Sequence, residues 1–199
     1  SLTEGVIAHA DEVARRTGSR VVVQLDEPSL PTVLSGDVPT PSGYGTVPAV
    51  PEPEARRVLG GVVDRLAGRT GHPVIVHCCA ERPPVNLLRR AGAGAISLDA
   101  TRLGEVTGPL ADELGETWQE GVPLLLGLIP TSASDSSVRA LARPGLDVAA
   151  RLGFPDRVLL DSAAVTPACG LAGATPDWAR QALRRAREVG ELYREETGT

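Results

Sequence analysis

Short apolar runs rich in β-branched residues recur along the chain, and each is followed by a stretch with helical spacing. The runs are Val21-Val22-Val23-Gln24-Leu25, Pro73-Val74-Ile75-Val76-His77, Ala95-Ile96-Ser97-Leu98-Asp99, Leu124-Leu125-Leu126-Gly127-Leu128 and Val158-Leu159-Leu160-Asp161. Near-continuous apolar strands of this kind belong in a parallel sheet covered by helices on its faces.

The segments between them read as helices. Ala55, Val58, Leu59, Val62, Val63 and Leu66 follow the i, i+3, i+4 rule along one face. Thr175-Pro176-Asp177 is a helix start, with an N-cap residue, a proline at the first helical position and an early acid. From there Ala179, Ala182, Leu183, Ala186, Val189 and Leu192 continue a single stripe. Less regular helices are predicted over residues 2–15, 84–91, 106–119 and 136–152, the last interrupted by Pro144-Gly145. Helix and strand thus alternate from end to end, which predicts a parallel α/β fold in one domain spanning residues 1–199. An open doubly wound sheet and part of an eight-stranded barrel both fit this order. No glycine-rich phosphate fingerprint follows the first strand, which weakens the open nucleotide-binding sheet. Residues 28–53, rich in Pro, Gly, Ser and Thr, are too long for a routine βα connection and read as a lid or a mobile segment.

Composition narrows the function classes. The 199 residues carry a net charge of −5, with 42% hydrophobic and 23% charged residues, so neither a nucleic acid nor another polyanion is an expected partner. The basic stretch at residues 180–187 alternates with apolar positions and reads as a solvated helix face. No apolar run reaches membrane-spanning length. The chain has no methionine and opens as a processed or excised piece would. Three cysteines, two of them adjacent, suit metal or thiol chemistry in a reducing cytoplasm better than a disulfide framework.

Candidate chemistry gathers at strand ends. His77 and Cys79 lie two positions apart, so in a strand they share a face while Cys78 takes the other and packs as a small hydrophobe. By the same alternation Asp99 shares the inward face of its strand with Ala95 and Ser97. Cys169 follows the last strand, in a turn-forming stretch marked by Pro167 and Gly170. Two sulfurs, an imidazole and a carboxylate form a ligand mix that zinc accepts, and a zinc-bound thiol loses its proton near neutral pH. The alternative is a histidine satisfied at a strand end beside inert thiols. Asp26 and Glu27 fall on opposite faces. Asp26 could hold the ammonium group of an amino-acid substrate, or the Asp-Glu-Pro ending could only cap the turn that follows.

Gln24-Leu25-Asp26-Glu27-Pro28-Ser29-Leu30, His77-Cys78-Cys79, Ile96-Ser97-Leu98-Asp99 and Pro167-Ala168-Cys169-Gly170-Leu171 resemble, in the same order, motifs of the cobalamin-independent methionine synthase family's C-terminal barrel. The resemblance covers essentially the whole chain. It implies a TIM-type (β/α)8 barrel, here partial, whose five strands match the family's fourth to eighth. It implies Zn2+ held by His77, Cys79 and Cys169, with Asp99 standing where the family has a longer glutamate ligand. It further implies that Asp26 binds the amino group of a homocysteine-like thiol, which is methylated to methionine. Where the family carries a proton-shuttling histidine, this chain reads Gly127-Leu128-Ile129-Pro130-Thr131-Ser132. A corrinoid protein in place of folate as methyl donor is therefore an expectation. So is self-association through exposed barrel edges, or completion by another chain. Two further readings accompany this one: a zinc-thiol alkyltransferase using another electrophile, and a non-catalytic barrel fragment with vestigial ligands.

Overall fold

The structure is a computed structural model, and it describes residues 1–197. Its elements alternate as the sequence predicts: α1 (Leu2–Thr17), β1 (Gln24–Asp26), α2 (Leu30–Ser35), α3 (Glu52–Thr70), β2 (Ile75–Cys78), α4 (Val85–Arg90), β3 (Ala95–Asp99), α5 (Gly108–Gln119), β4 (Leu124–Ile129), α6 (Val138–Arg151), α7 (Val158–Asp161), β5 (Ala163–Pro167) and α8 (Pro176–Thr197). The strands form one parallel sheet in the order β1-β2-β3-β4-β5. A doubly wound sheet reverses its strand order partway across, whereas a (β/α)8 barrel adds each strand beside the last. The strictly sequential order is thus consistent with a partial (β/α)8 barrel. Among the described residues, no helix is long and apolar enough to cross a membrane.

Packing divides the chain into two compact units, residues 1–78 with 84–96, and residues 79–83 with 97 onward. In the first, α1 packs on α3, and Ala55, Leu59, Val63 and Leu66 form the buried stripe of α3. Val58, a predicted member of that stripe, is instead exposed on the rim of a groove of about 460 Å³. Leu2, Val6, Leu30, Val33 and Glu27 also line it. Arg69 and Asp11 pair at 2.7 Å across α1 and α3, on the surface, where such a bridge adds at most about 1 kcal/mol. The long connection at residues 28–53 is not featureless: it folds into α2 and a turn closed by an antiparallel bridge between Pro39 and Thr46.

The second unit is built on the β4–β5 ladder. Leu124, Leu126, Leu128 and Ile129 are all buried, as expected of a strand covered on both faces. The last strand corrects the sequence reading. Residues 158–161 form the short helix α7, and β5 begins at Ala163, paired with Leu124. An apolar run this short does not by itself distinguish helix from strand. Here Pro155 and Asp156 start a helical turn, their carbonyls accepting from the Val158 and Leu159 amides. The less apolar Ala163-Ala164-Val165-Thr166 takes the ladder, and Pro167 is tolerated because β5 pairs on one side only among the described strands.

α6 also runs unbroken through Pro144, where the sequence predicts an interruption. Proline mid-helix loses an amide bond and crowds the preceding turn. Tyr193 of α8, fully buried, donates its hydroxyl to the Ala142 carbonyl at 2.6 Å, so this weakened stretch is bonded from outside. Burial, with the nearby Glu196 charge, pushes the phenol well above its ordinary pKa and keeps it a donor. Gly145 makes the approach possible, since a β-carbon there would overlap the Tyr193 hydroxyl and reach its ring at 3.2 Å. On α8, Trp178, Ala182, Val189 and Tyr193 are the buried positions, while Leu183 is 61% exposed. The stripe is thus rotated towards Trp178, whose indole donates to the Pro130 carbonyl at 3.1 Å.

Two outcomes follow from this packing. Gly145→Ala should destabilise the protein by about 1–3 kcal/mol, through overpacking and loss of the buried phenol bond. Adding Tyr193→Phe should recover part of that loss, read as the denaturation midpoint in urea. Glu27 supplies the second. Burial raises its pKa, and the neighbouring Asp26 raises it further. A carboxyl whose folded pKa is raised favours the folded state most at acid pH, and that contribution disappears as pH rises through the raised value. Glu27→Gln should therefore gain on wild type progressively from acid pH towards neutrality in denaturation series. A pH-independent difference would mean that Glu27 ionises without cost.

Candidate metal centre

β1 and β2 pair in parallel with Asp26 opposite His77, and the Glu27 amide donates to the His77 carbonyl at 2.7 Å. His77 is 4% exposed and Cys78 fully buried, so the middle of β2 is covered on both faces. Cys78 thus sits as the small apolar residue that the alternation predicts. Asp26 is exposed, and one of its oxygens accepts from the Gln24 amide at 2.8 Å. Gln24 and Asp26 share the more exposed face of β1, while Leu25 and Glu27 take the half-buried one.

Cys79 follows β2 directly and is half-buried; Cys169 lies two residues beyond β5 and is exposed. Their sulfurs are 3.6 Å apart, and none of the three cysteines is in a disulfide. Backbone geometry brings Cys169 to this place. The ladder slips between Gly127 and Ile129, so that Ile129 faces Pro167 and accepts the Ala168 amide at 2.8 Å. Gly127 permits it: a β-carbon there would stand 2.6 Å from the Ala168 Cα and 2.7 Å from the Leu98 carbonyl oxygen. On the other side, the Arg102 guanidinium reaches the Cys79 carbonyl at 3.5 Å and the Glu81 carboxylate at 3.2 Å, tethering the segment after β2.

His77, Cys79 and Cys169 each offer one ligand atom, and these atoms all lie within 4.8 Å of one another, so the group could hold a metal ion. The donor set tests well. A tetrahedral metal with thiolates at about 2.3 Å keeps their sulfurs about 3.8 Å apart, close to the spacing found. Asp99 is not one of the three. It ends β3, is 6% exposed, and its Oδ1 accepts from both the Thr101 amide at 3.0 Å and the Thr101 hydroxyl at 2.6 Å. Asp26 also stands outside the group. Thr101, Arg102 and Gly127 were not singled out from the sequence. Asp99-Ala100-Thr101 does carry a signal, because an aspartate two residues before a hydroxyl invites such a local turn.

A comparison with curated proteins gave no match. The sequence model of a protein family described as cobalamin-independent synthase, catalytic domain, matches residues 1–192. The match spans all five strands and every residue of the candidate centre, and the chain belongs to that family of catalytic domains.

Proposed function

We propose that the domain is a zinc-dependent methyltransferase that activates a thiol, homocysteine, for methylation to methionine. The observation that carries the reading is the His77, Cys79 and Cys169 group, with two sulfurs close to the separation of donors on a shared tetrahedral ion. Family membership supports a synthase activity at the coarser level. When bound, zinc would supply stabilisation of a substrate thiolate near neutral pH.

The residues of this chain divide the remaining work. His77, fixed in a buried strand, and Cys79, tethered through Arg102, are the stationary donors; Cys169 comes from an exposed turn. Asp99 is the fourth protein donor in this reading. Thr101 occupies one of its oxygens, which leaves the other to bind. Asp26 holds the ammonium group of homocysteine. It has one oxygen committed to Gln24, and its exposure suits a ligand that arrives from solvent. The methyl donor is a folate or a corrinoid protein. The corrinoid protein is favoured by the sequence after β4, which offers Pro130, Thr131 and Ser132 but no histidine to pass a proton. The same gap favours, as a second reading, an alkyl transfer to a thiol from another electrophile.

Zinc content of purified protein tests the centre. We expect about one zinc per chain in wild type, lost in Cys169→Ser and kept in Cys78→Ser, since Cys78 packs as a hydrophobe. Absence of zinc from reduced, zinc-supplemented wild type would reject the centre. Asp26→Asn should raise the KM for homocysteine about ten- to a hundredfold, the worth of a charge-assisted hydrogen bond, with zinc content unchanged. Product analysis with homocysteine and either donor separates methyl transfer from other alkylations.

A further inference from the structure

We infer that Cys79 and Cys169 form a reversible oxidation site: in the metal-free protein a peroxide closes them into an intramolecular disulfide, and the disulfide excludes the metal. The thiol pair itself supports this site. It deepens the proposed function at one point, the claim that the same two sulfurs hold the metal.

Three observations carry it. The sulfurs stand 3.6 Å apart across 90 residues of sequence, within thiol–thiol hydrogen-bond range. A disulfide needs about 2.05 Å, so closure requires a movement of roughly 1.5 Å. One partner can make it, because Cys169 lies beyond the ladder in an exposed bend and is followed by Gly170 and Gly173. The third cysteine cannot compete. Cys78 is fully buried within β2, and strand alternation turns its side chain away from that of Cys79. Exposure also sets the order of events, since the more accessible sulfur is the one a small oxidant meets first.

The chemistry balances with hydrogen peroxide as the oxidant. The Cys169 sulfur attacks one peroxide oxygen; the O–O bond breaks, an S–O bond forms, and water leaves with the thiol proton. The Cys79 sulfur then attacks the sulfur of this sulfenic acid. The S–S bond forms as the S–O bond breaks, and hydroxide leaves as water with the Cys79 proton. Two thiols lose two hydrogens and one peroxide gives two waters, each sulfur being oxidised by one electron. The resulting disulfide removes both thiolate donors from the metal group. It is reopened by a dithiol reductant through exchange.

The test uses the full chain, stripped with a chelator and treated with equimolar hydrogen peroxide, beside zinc-reconstituted protein. We expect the stripped protein to lose two hydrogens by intact mass and to yield a Cys79–Cys169 cross-linked peptide, with Cys78 still alkylatable after unfolding. Dithiothreitol should restore zinc uptake fully, and zinc-loaded protein should oxidise at least tenfold more slowly. Sulfinic or sulfonic acid at Cys169 without the cross-link, a bridge to Cys78, or bridges between chains would overturn the inference. The metal reading fails separately: a Cys79–Cys169 bridge in protein that never takes up zinc sustains the oxidation site and removes the zinc centre. Zinc uptake without any bridge does the reverse.

Discussion

Backbone pairing between parallel strands is the constraint from which the candidate centre follows. In β1 and β2 the register sets Asp26 opposite His77, and the bond from Glu27 to the His77 carbonyl extends it past the end of β1. In β4 and β5 pairing continues through Pro167 to the Ala168 amide, and Cys169 is the first residue released from it. No side-chain contact needs to bring these groups to their strand ends. The ladder does so because strands in such a sheet all finish on the same edge, where α/β folds place their chemistry.

Much of this was readable from residue order, and the exceptions have physical causes. The apolar runs at β3 and β4 matched their strands to within one residue, because continuous burial leaves a continuous apolar signature. The run at residues 158–161 misled for the same reason: a short apolar segment is equally at home in one buried helical turn, and Pro155-Asp156 supplied the turn. α6 continues through Pro144, and the bond that reaches that stretch from outside comes from Tyr193, 51 residues further along the chain. No local pattern encodes a partner so distant. The face of α8 was displaced by its tryptophan, whose indole needs a carbonyl and finds it at Pro130.

At the centre, residue types and spacing identified the right side chains, but their commitments were visible only in three dimensions. His77, Cys79 and Cys169 do come together. Asp99 was recognised as a buried carboxylate that must find donors, and it finds two from one neighbour, Thr101. Asp26 and Glu27, adjacent in sequence, separate into different physical settings. Asp26 lies exposed beside Gln24, and Glu27 is half-buried against apolar helices, where its charge is disfavoured. Alternation along a strand of three residues is enough to produce that division.

Gly127 has a wider consequence. It bears no reactive group, yet the backbone at Ala168 and Leu98 occupies the space that any side chain there would need. The location of the Cys169 sulfur is therefore held by an absence. Sequence drift at this position is closed off unless the end of β5 moves first, and a search for the determinants of the centre confined to reactive residues would pass over one that contributes only a hydrogen atom.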